Sequence, residues 1–409
     1  MNEQKAVPNI RFKGFDDKWK DTVIGKLVKV YDGVHQTPKY KNNGVPFVSV
    51  ENISNLYTNK FISKSDFEKN FKNSKPTSGD LLMTRIGDIG TVNLVKNDND
   101  LAYYVSLALL KPKTKDRIKY INSYFLMYLI ESPRIKKELW KRTLHIAFPK
   151  KINKNEISKV NLCICLNWKE QQKIGEFFTK LDTLLDLRQK KINKLELLKK
   201  ALLQKLFPKH DAKIPELRFK GFYNKWERTT ISEMGKVTTG NTPSTKQKRY
   251  YSKMGIPWIT PSNIDKNGNL YNVKYLSKDG AKIGRIVPKG SVLVTSIASI
   301  GKNTLLKEDS AFNQQINAIT PKKKYNSYFL YTACNQLSKE MKVIASAGTM
   351  QIVNKKEFSK MLINCPLLPE QQKIGNLLSK VDRLIELENK KLHNLQQVKK
   401  CLLQNMFVE

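Results

Sequence analysis

The fold of this chain is decided by a stretch that occurs twice, EQQKIGEFFTKLDTLLDLRQKKINKLELLKKALLQKLF, which runs from Glu170 to Phe207. The second copy, EQQKIGNLLSKVDRLIELENKKLHNLQQVKKCLLQNMF, runs from Glu370 to Phe407, and 19 of the 38 positions are identical. In both copies apolar residues recur at alternating steps of three and four, which is typical of a coiled-coil seam. Each copy is therefore predicted to form one helix of about 57 Å. Each helix needs a partner for its seam, and the other copy is the obvious one.

The duplication extends well beyond these helices. The segment PNIRFKGFDDKWKDTVI from Pro8 is matched by PELRFKGFYNKWERTTI from Pro215, and GDLLMTRIGDIGTV from Gly79 is matched by GSVLVTSIASIGKN from Gly290. Short β-branched runs between glycines and prolines predict strands in both halves. The order of the chain is therefore domain, helix, domain, helix.

We predict an α/β (α+β) fold in which two similar globular domains are joined by two long antiparallel helices. The helices are expected to form a coiled coil with a pseudo-twofold arrangement. The predicted ranges are 1–168 and 209–368 for the domains and 169–208 and 369–409 for the helices. In the alternative interpretation the long helices are core elements of separate domains. Their length and matching register favour the pair.

The composition indicates a polyanionic partner. Lys and Arg number 74 against 36 Asp and Glu, which gives a net charge of +38. The two helical copies hold 16 basic and 9 acidic residues, so they carry only +7 of that charge. The rest lies on the globular parts, where such a surplus is typical of proteins that bind nucleic acid or another anionic surface. Only 11 of the 74 basic residues are Arg, so part of the surplus reflects codon bias toward Lys.

Several classes of function are not indicated. No apolar run approaches the length of a membrane span, and the polar start MNEQKAVPN has no signal-peptide core, so we predict a cytoplasmic protein. The sequence has no phosphate-binding GxxxxGK[ST] loop and no GxGxxG loop after a strand. We therefore predict no cofactor and no catalytic residue.

Cysteine and histidine patterns do not indicate a metal site. The five cysteines show no CxxC spacing, and the four histidines (His35, His145, His210 and His393) occupy no duplicated position. We expect buried free thiols and no bound metal.

The repeated motifs resemble the specificity (S) subunit of type I restriction-modification enzymes. The resemblance rests on the two EQQKIG helices, the two RFKGF openings, the run TGNTPSTKQKRYY from Thr239, and the runs GSVLVTSIASIGKNTLL and AFNQQINAI that follow it. It spans nearly the whole chain and is stronger in the second half. The first half has DGVHQTPKY from Asp32 in place of TGNTPS, and Lys169 where the second copy has Pro369. The target of the first domain is therefore expected to differ from that of the second.

The resemblance implies that each domain recognises one half of a bipartite sequence in double-stranded DNA. It implies that the helical pair sets the spacing and docks two modification subunits, which form an adenine methyltransferase. Two restriction subunits would add ATP-driven translocation and cleavage, and the S chain itself would catalyse nothing. The alternative is a coiled-coil adaptor whose basic domains bind RNA or acidic proteins.

Polar residues that differ between the two copies are candidates for base recognition. Arg85 and Asp88 interrupt the apolar MTRIGDIG run, and the second copy has Ser296 and Ser299 at these places. Arg suits guanine, Asp suits cytosine, and Ser suits either. The alternative for the first pair is an ion pair between Arg85 and Asp88 on the surface.

Two further groups complete the predicted DNA site. The amides of Asn313, Gln314 and Gln315 suit adenine edges, although they are equally suited to capping turns. Basic and aromatic residues in polar loops suit phosphate contacts, with an ordinary solvated loop as the alternative. These loop residues are Lys39, Tyr40 and Lys41 in the first domain, and Lys246, Lys248, Arg249 and Tyr250 in the second.

Overall fold

The computed structural model describes residues 7–115, 118–119, 121–144, 146, 148–209, 212–346 and 352–408. His145 and His210 lie outside these ranges. The chain divides into two compact units: a first unit of Met1–Lys190 with Lys390–Glu409, and a second unit of Lys191–Asn389. Each long helix contributes one half to each unit.

The elements up to the end of the first long helix follow in chain order. The strands are β1 Lys20–Val23, β2 Val28–Asp32, β3 Val45–Val48, β4 Phe61–Ile62, β5 Leu81–Ile86, β6 Asp88–Leu94, β7 Ala102–Tyr103, β8 Leu107–Pro112, β9 Thr114–Lys115, β10 Ile118–Lys119 and β11 Asn161–Ile164. The helices are α1 Ile24–Leu27, α2 Lys64–Phe71, α3 Ser123–Glu131, α4 Pro133–Lys141, α5 Lys154–Ser158 and the long α6 Trp168–Lys205.

The second half follows a similar order, with one helix, α9, where the first half has α3 and α4. The strands are β12 Glu227–Thr230, β13 Gly235–Thr239, β14 Tyr251–Ser252, β15 Ile256–Ile259, β16 Lys274–Leu276, β17 Ile286–Val287, β18 Val292–Thr295, β19 Asn303–Leu305, β20 Ser310–Phe312, β21 Ile316–Pro321 and β22 Leu362–Cys365. The helices are α7 Ile231–Met234, α8 Lys278–Ile283, α9 Ser327–Ser346, α10 Lys355–Lys360 and the long α11 Leu368–Asn405.

Each domain has two main sheets, in addition to the two-stranded sheets β1-β11 and β9-β10 in the first domain and β12-β22 in the second. In the first domain an antiparallel sheet of order β2-β8-β5-β6 accompanies a smaller sheet of order β4-β3-β7, in which β3 and β7 are parallel. The second domain repeats them as β13-β21-β18-β19 and as a larger sheet that contains β16-β15-β20. Side chains of β5 alternate between two cores: Leu81 and Met83 pack with the helices, whereas Leu82 packs toward the smaller sheet. This alternation follows from the period of two in a strand.

The repeated RFKGF and EQQKIG motifs bind each other. In the first unit Arg11 donates two hydrogen bonds to the Glu170 carboxylate at 2.7 and 2.9 Å. The ammonium of Lys173 lies 5.0 Å from the ring of Phe12 and 5.8 Å from that of Phe15. The second unit repeats the ion pair with Arg218 and Glu370 at 2.8 and 2.9 Å, and repeats the aromatic contacts with the equivalent residues.

The same opening segment also holds the end of the other long helix. The Ile10 amide donates to the carbonyl of Asn405 at 2.9 Å, and the Leu217 amide donates to the carbonyl of Lys205 at 2.8 Å. In each unit one short segment therefore ties the start of one long helix to the end of the other. We call this segment the strap, residues 10–15 in the first unit and 217–222 in the second.

The remaining EQQKIG residues dock the long helix on its domain. The Gln171 side chain accepts from the Asn122 amide at 2.8 Å and donates to the Cys165 carbonyl at 2.8 Å. Gly175 leaves room for this contact, because a Cβ there would lie 2.8 Å from Cβ of Tyr124. Gln371 repeats the amide contact at the start of α9. The motif is thus a docking surface for the domain helix.

The two long helices run antiparallel within each unit. In the first unit Phe178, near the start of α6, stacks on Phe407, after the end of α11, with ring centroids 5.9 Å apart. An ion pair joins Lys399 to Asp182 at 2.7 Å, and the second unit has its counterpart between Lys199 and Asp382 at 2.6 Å. The predicted fold class, with two similar domains and an antiparallel pair of long helices, is confirmed.

The prediction of buried thiols is correct for four cysteines and wrong for the fifth. Cys163, Cys165, Cys334 and Cys365 are buried, whereas Cys401 is exposed. Cys401 lies in α11, where Ala201 occupies the equivalent position of α6. No helix in the described part of the chain has both the length and the apolar character to cross a bilayer.

Candidate nucleic-acid interface

The predicted base-reading residues lie where the four-stranded antiparallel sheet of each domain meets the domain's other main sheet. Gly33 follows β2 and Gly240 follows β13 at this point. A Cβ at Gly33 would lie 2.4 Å from the carbonyl oxygen of Tyr104, and one at Gly240 would lie 2.2 Å from that of Asn313. The chain can therefore leave the four-stranded sheet only through a residue without a side chain.

Arg85 is engaged inside the first domain. Its side chain is 7% exposed, forms an ion pair with Asp32, and donates from Nε to the carbonyl of Ile152 at 3.0 Å. The carboxylate that binds Arg85 is thus Asp32 rather than the Asp88 of the surface-pair alternative. Strand β8 separates β2 from β5, and Ala108 is the residue paired with Asp32. Ala108, which is paired with Met83 on its other side, is small and lets the long Arg85 side chain reach across.

In the second domain, uncharged side chains occupy the three equivalent positions. Thr239, Asn317 and Ser296 occupy the positions of Asp32, Ala108 and Arg85. Thr239 donates to Asn317 at 2.6 Å, and Asn317 donates to Ser296 at 2.9 Å. The central amide bridges two short side chains that cannot meet by themselves. The variation between Arg85 and Ser296 therefore belongs to a set of three coupled positions, of which those of Asp32 and Thr239 are half-buried.

The neighbouring candidates of the hairpin turns differ in exposure. Asp88 is exposed at the start of β6 and accepts from the Thr84 hydroxyl at 3.2 Å. Ser299 is half-buried, and its carbonyl accepts from the Thr295 hydroxyl. Of these two side chains, that of Asp88 is the more accessible to a ligand.

The three amides of the second domain lie beside Ser296 but have different surroundings. Asn313 is buried and donates to the Gln315 side chain at 2.8 Å, and the Gln315 carbonyl accepts from the Ser296 amide at 2.8 Å. Gln314 is exposed and accepts from the Thr242 hydroxyl at 2.6 Å. The structure brings the amides and Ser296 together, and it presents Gln314 to solvent.

The predicted phosphate-binding loops are exposed in both domains. Lys39, Tyr40 and Lys41 are all exposed, and Lys60 adds a cation 5.5 Å from the Tyr40 ring. In the second domain Lys246, Lys248 and Arg249 are exposed and Tyr250 is half-buried. The Arg249 guanidinium lies 5.1 Å from the Tyr250 ring.

The loop of the second domain is fixed at its base. Asn241 accepts from the Arg285 amide at 2.7 Å, and the Arg285 guanidinium donates to the Thr239 carbonyl at 2.7 Å. The Tyr251 hydroxyl donates to the Pro243 carbonyl at 2.6 Å, and burial raises the pKa of this phenol. The phenol therefore keeps its proton and this hydrogen bond at neutral pH.

Sequence reasoning missed two features of this region. Arg285 is an exposed cation beside the loop, although its position in the sequence, after the helix α8, gives no indication of this. The segment from Leu144 to Lys151 carries exposed apolar residues next to the Arg85 hairpin. Its mixture of apolar and basic residues, LHIAFPKK, is the only signal that the sequence offers for it.

Comparison with known proteins identifies the family. A family model described as type I restriction modification DNA specificity domain matches residues 17–197 and again residues 223–397. The MjaIX specificity subunit of Methanocaldococcus jannaschii is 33% identical over 195 residues, which cover 45% of this chain and 44% of that protein. The HindI specificity subunit of Haemophilus influenzae is 28% identical over 42% of this chain and 39% of that protein. In each of these two matches, this chain covers less than half the length of the relative.

Two matches that cover most of this chain are to proteins of the same family. The putative MjaX specificity subunit of M. jannaschii is 23% identical over 384 residues, 88% of this chain and 85% of that protein. The crystal structure of a type I restriction-modification S subunit from M. genitalium has a TM-score of 0.68 at 14% identity, and the match covers 98% of this chain and 99% of that one. This likeness confirms the fold. Because the family model matches most of the sequence in two copies, the chain belongs to the family of the type I restriction modification DNA specificity domain.

Proposed function

We propose that this chain is the sequence-specific DNA-binding subunit of a cytoplasmic type I restriction-modification complex. Residues 1–168 and 209–368 act as target-recognition domains, each for one half of a bipartite target. Residues 169–208 and 369–409 act as the spacer. The observation that carries the proposal is the double match to the specificity-domain model, together with the differences between the domains at one sheet end.

The chemistry of that sheet end supports different targets for the two domains. The exposed residues differ in type, with Lys39, Tyr40 and Asp88 in the first domain and Arg249 and Gln314 in the second. Cations and polar groups of this kind contact phosphates and base edges. Arg85 and Ser296 are buried below these exposed residues, and we assign them a role in packing rather than in direct contact with DNA.

Exposed apolar residues on the long helices support docking of two like protein subunits. In the first unit Leu184 and Leu187 are 40% and 57% exposed, and in the second unit Leu384 and Leu387 are 46% and 43% exposed. These leucines occupy equivalent positions of the two copies. Such residues on an otherwise polar helix mark a contact with another protein. We assign them to two modification subunits, to which two restriction subunits are added; the methyl transfer and the cleavage belong to those subunits and not to this chain.

Methylation mapping in a host that carries the gene tests this function. The methylated motif should consist of two specified parts separated by an unspecified spacer. Exchange of residues 20–164 for the corresponding segment of a relative with another motif should then change one part only. The matched control, exchange of residues 227–365, should change the other part. A continuous motif, or a change in both parts after either exchange, would contradict the assignment.

A further inference from the structure

Among the described residues of the first domain, the most exposed apolar side chains lie together on one short segment. Ile146 and Phe148 are 104% and 101% exposed, so both side chains project fully into solvent. They lie between Leu144, whose amide donates to the carbonyl of Lys151 at 2.8 Å, and Lys151 itself. We call Leu144, Ile146 and residues 148–151 the apolar tip. Two large apolar groups in this position add nothing to the core.

The apolar tip is held against the hairpin of β5 and β6. The Gly87 amide donates to the Lys150 carbonyl at 2.8 Å, and the Ile152 amide donates to the Arg85 carbonyl at 3.0 Å. The buried Arg85 side chain completes the attachment through its bond to the Ile152 carbonyl. The segment is therefore fixed beside the exposed Asp88, at the sheet end assigned to DNA recognition.

The surroundings of the apolar tip are basic. Lys151 is exposed, and the Lys150 ammonium lies 4.4 Å from the ring of Trp140, which is itself 46% exposed. Lys141 is also exposed and pairs with Glu138 at 2.9 Å. Exposed Ile and Phe side chains suit a membrane or an apolar protein surface, but the adjacent Lys150 and Lys151 favour a polyanion. Apolar side chains flanked by cations are typical of proteins that wedge Phe or Ile between DNA base steps.

We propose that Phe148 and Ile146 form an apolar wedge that packs against the bases of the first half-site. This inference rests on the proposed function and adds to it a non-ionic contact with DNA. Lys150 and Lys151 would hold the adjacent phosphates, and Arg85 would act as a positioning residue for the segment. The wedge favours base steps that unstack readily, such as pyrimidine–purine steps.

Substitution of Phe148 in the assembled complex tests the wedge. The probe is a duplex that carries the methylated motif, with a scrambled duplex as the reference. Phe148→Ala should weaken binding to the motif about tenfold, since stacking of an aromatic ring on a base contributes on the order of 1 to 3 kcal/mol. The dependence of binding on salt should not change, because no phosphate contact is lost. Phe148→Trp should retain binding.

Two matched variants distinguish loss of the wedge from other causes of weaker DNA binding. Lys151→Ala should weaken binding and reduce the salt slope by about one. Tyr57→Ala, which removes a ring that is 68% exposed on another loop of the same domain, should bind as the wild type does. A duplex with 2-aminopurine in the first half-site should become more fluorescent with the wild type than with Phe148→Ala.

The outcomes separate the wedge from the proposed function. If the wild type prefers the motif and Phe148→Ala binds within twofold of it, the wedge is wrong and the function stands. If the wild-type complex does not distinguish the motif from the scrambled duplex, the proposed function itself fails.

Discussion

Arg11 and Glu170 are 159 residues apart in the sequence and form a bidentate ion pair, with Nε–Oε1 and Nη2–Oε2 distances of 2.7 and 2.9 Å. The Glu170 side chain is fully buried, and the Arg11 side chain is 13% exposed. The hydrogen bond to Glu170 raises the pKa of the Arg11 guanidinium. The pair joins the strap to the first turn of α6, so it closes the first unit.

Removal of one partner of this ion pair should destabilise the chain much more than removal of both. Arg11→Met should destabilise the chain by about 3 to 5 kcal/mol, because it leaves the Glu170 carboxylate buried without its cation. The double variant Arg11→Met with Glu170→Met should recover most of that loss. The free energy of unfolding in urea, measured for the two single variants and the double variant, gives the coupling directly.

The duplicated pair offers an internal control for this cycle. Arg218→Met and Glu370→Met should show coupling of similar size in the second unit, since the distances there are 2.8 and 2.9 Å. Additive effects of the single variants in both units would show that the pairs do not hold the straps.

The three coupled positions beneath the recognition surface should be exchangeable only as a set. Arg85→Ser alone removes the partner of Asp32 inside the domain, leaves only Lys154 at 3.8 Å, and should lower the melting temperature of the chain. The triple variant Asp32→Thr, Arg85→Ser and Ala108→Asn reproduces the arrangement of the second domain and should melt closer to the wild type. Methylation of the first half-site should fall in Arg85→Ser while the second half-site is still recognised. A triple variant less stable than Arg85→Ser would contradict the coupling.

Binding of the assembled complex to its target should weaken steeply with salt. A surface with this excess of Lys should neutralise about eight phosphates, which gives a log–log slope of about −7. Lys248→Ala should reduce the magnitude of the slope by about one, whereas Gln314→Ala should lower affinity for the second half-site without changing the slope. Titration of a labelled duplex at several salt concentrations measures both. A slope near zero would remove the electrostatic basis of the assignment.

Glu131 should make the first unit less stable as the pH rises. Burial raises the pKa of this carboxyl above its ordinary value, although Lys399 lies 3.4 Å away. A group with a raised pKa in the folded state contributes stability below its unfolded pKa and loses that contribution as the pH rises through the folded pKa. The gain in stability from Glu131→Gln should therefore be greater at pH 7.5 than at pH 4. Urea midpoints at the two values measure it, and an equal difference at both would contradict the account.

Repetition of motifs allowed the architecture to be predicted before the contacts were known. The heptad pattern of the two copies predicted helices from Glu170 and Glu370, and the order of the motifs predicted two similar domains. The reason for the EQQKIG and RFKGF motifs could not be predicted in the same way. Their ion pairs connect segments more than 150 residues apart, and only the folded chain shows which carboxylate meets which guanidinium.

The recognition surface was less predictable for a physical reason. Arg85 and Asp88 are close in sequence, so a local pair was the natural alternative, yet Arg85 extends across strand β8 to Asp32. This contact depends on the small size of Ala108 and on the order of strands in the sheet. Exposure of Phe148 likewise depends on how the segment from Leu144 to Lys151 lies on the hairpin, and no pattern in the sequence specifies that.

The sharing of the long helices between the units limits how the chain can be divided. A fragment that ends at Lys209 keeps the first domain and the whole of α6 but loses Met406, Phe407 and Val408, which are buried in the first core. Such a fragment exposes the apolar seam of α6 along its length and cannot close its core alone. Because the two helical copies share 19 of 38 residues, a second copy of the same fragment would be the best available substitute for α11. Half of the gene would therefore be expected to produce a self-associating protein rather than a monomeric domain.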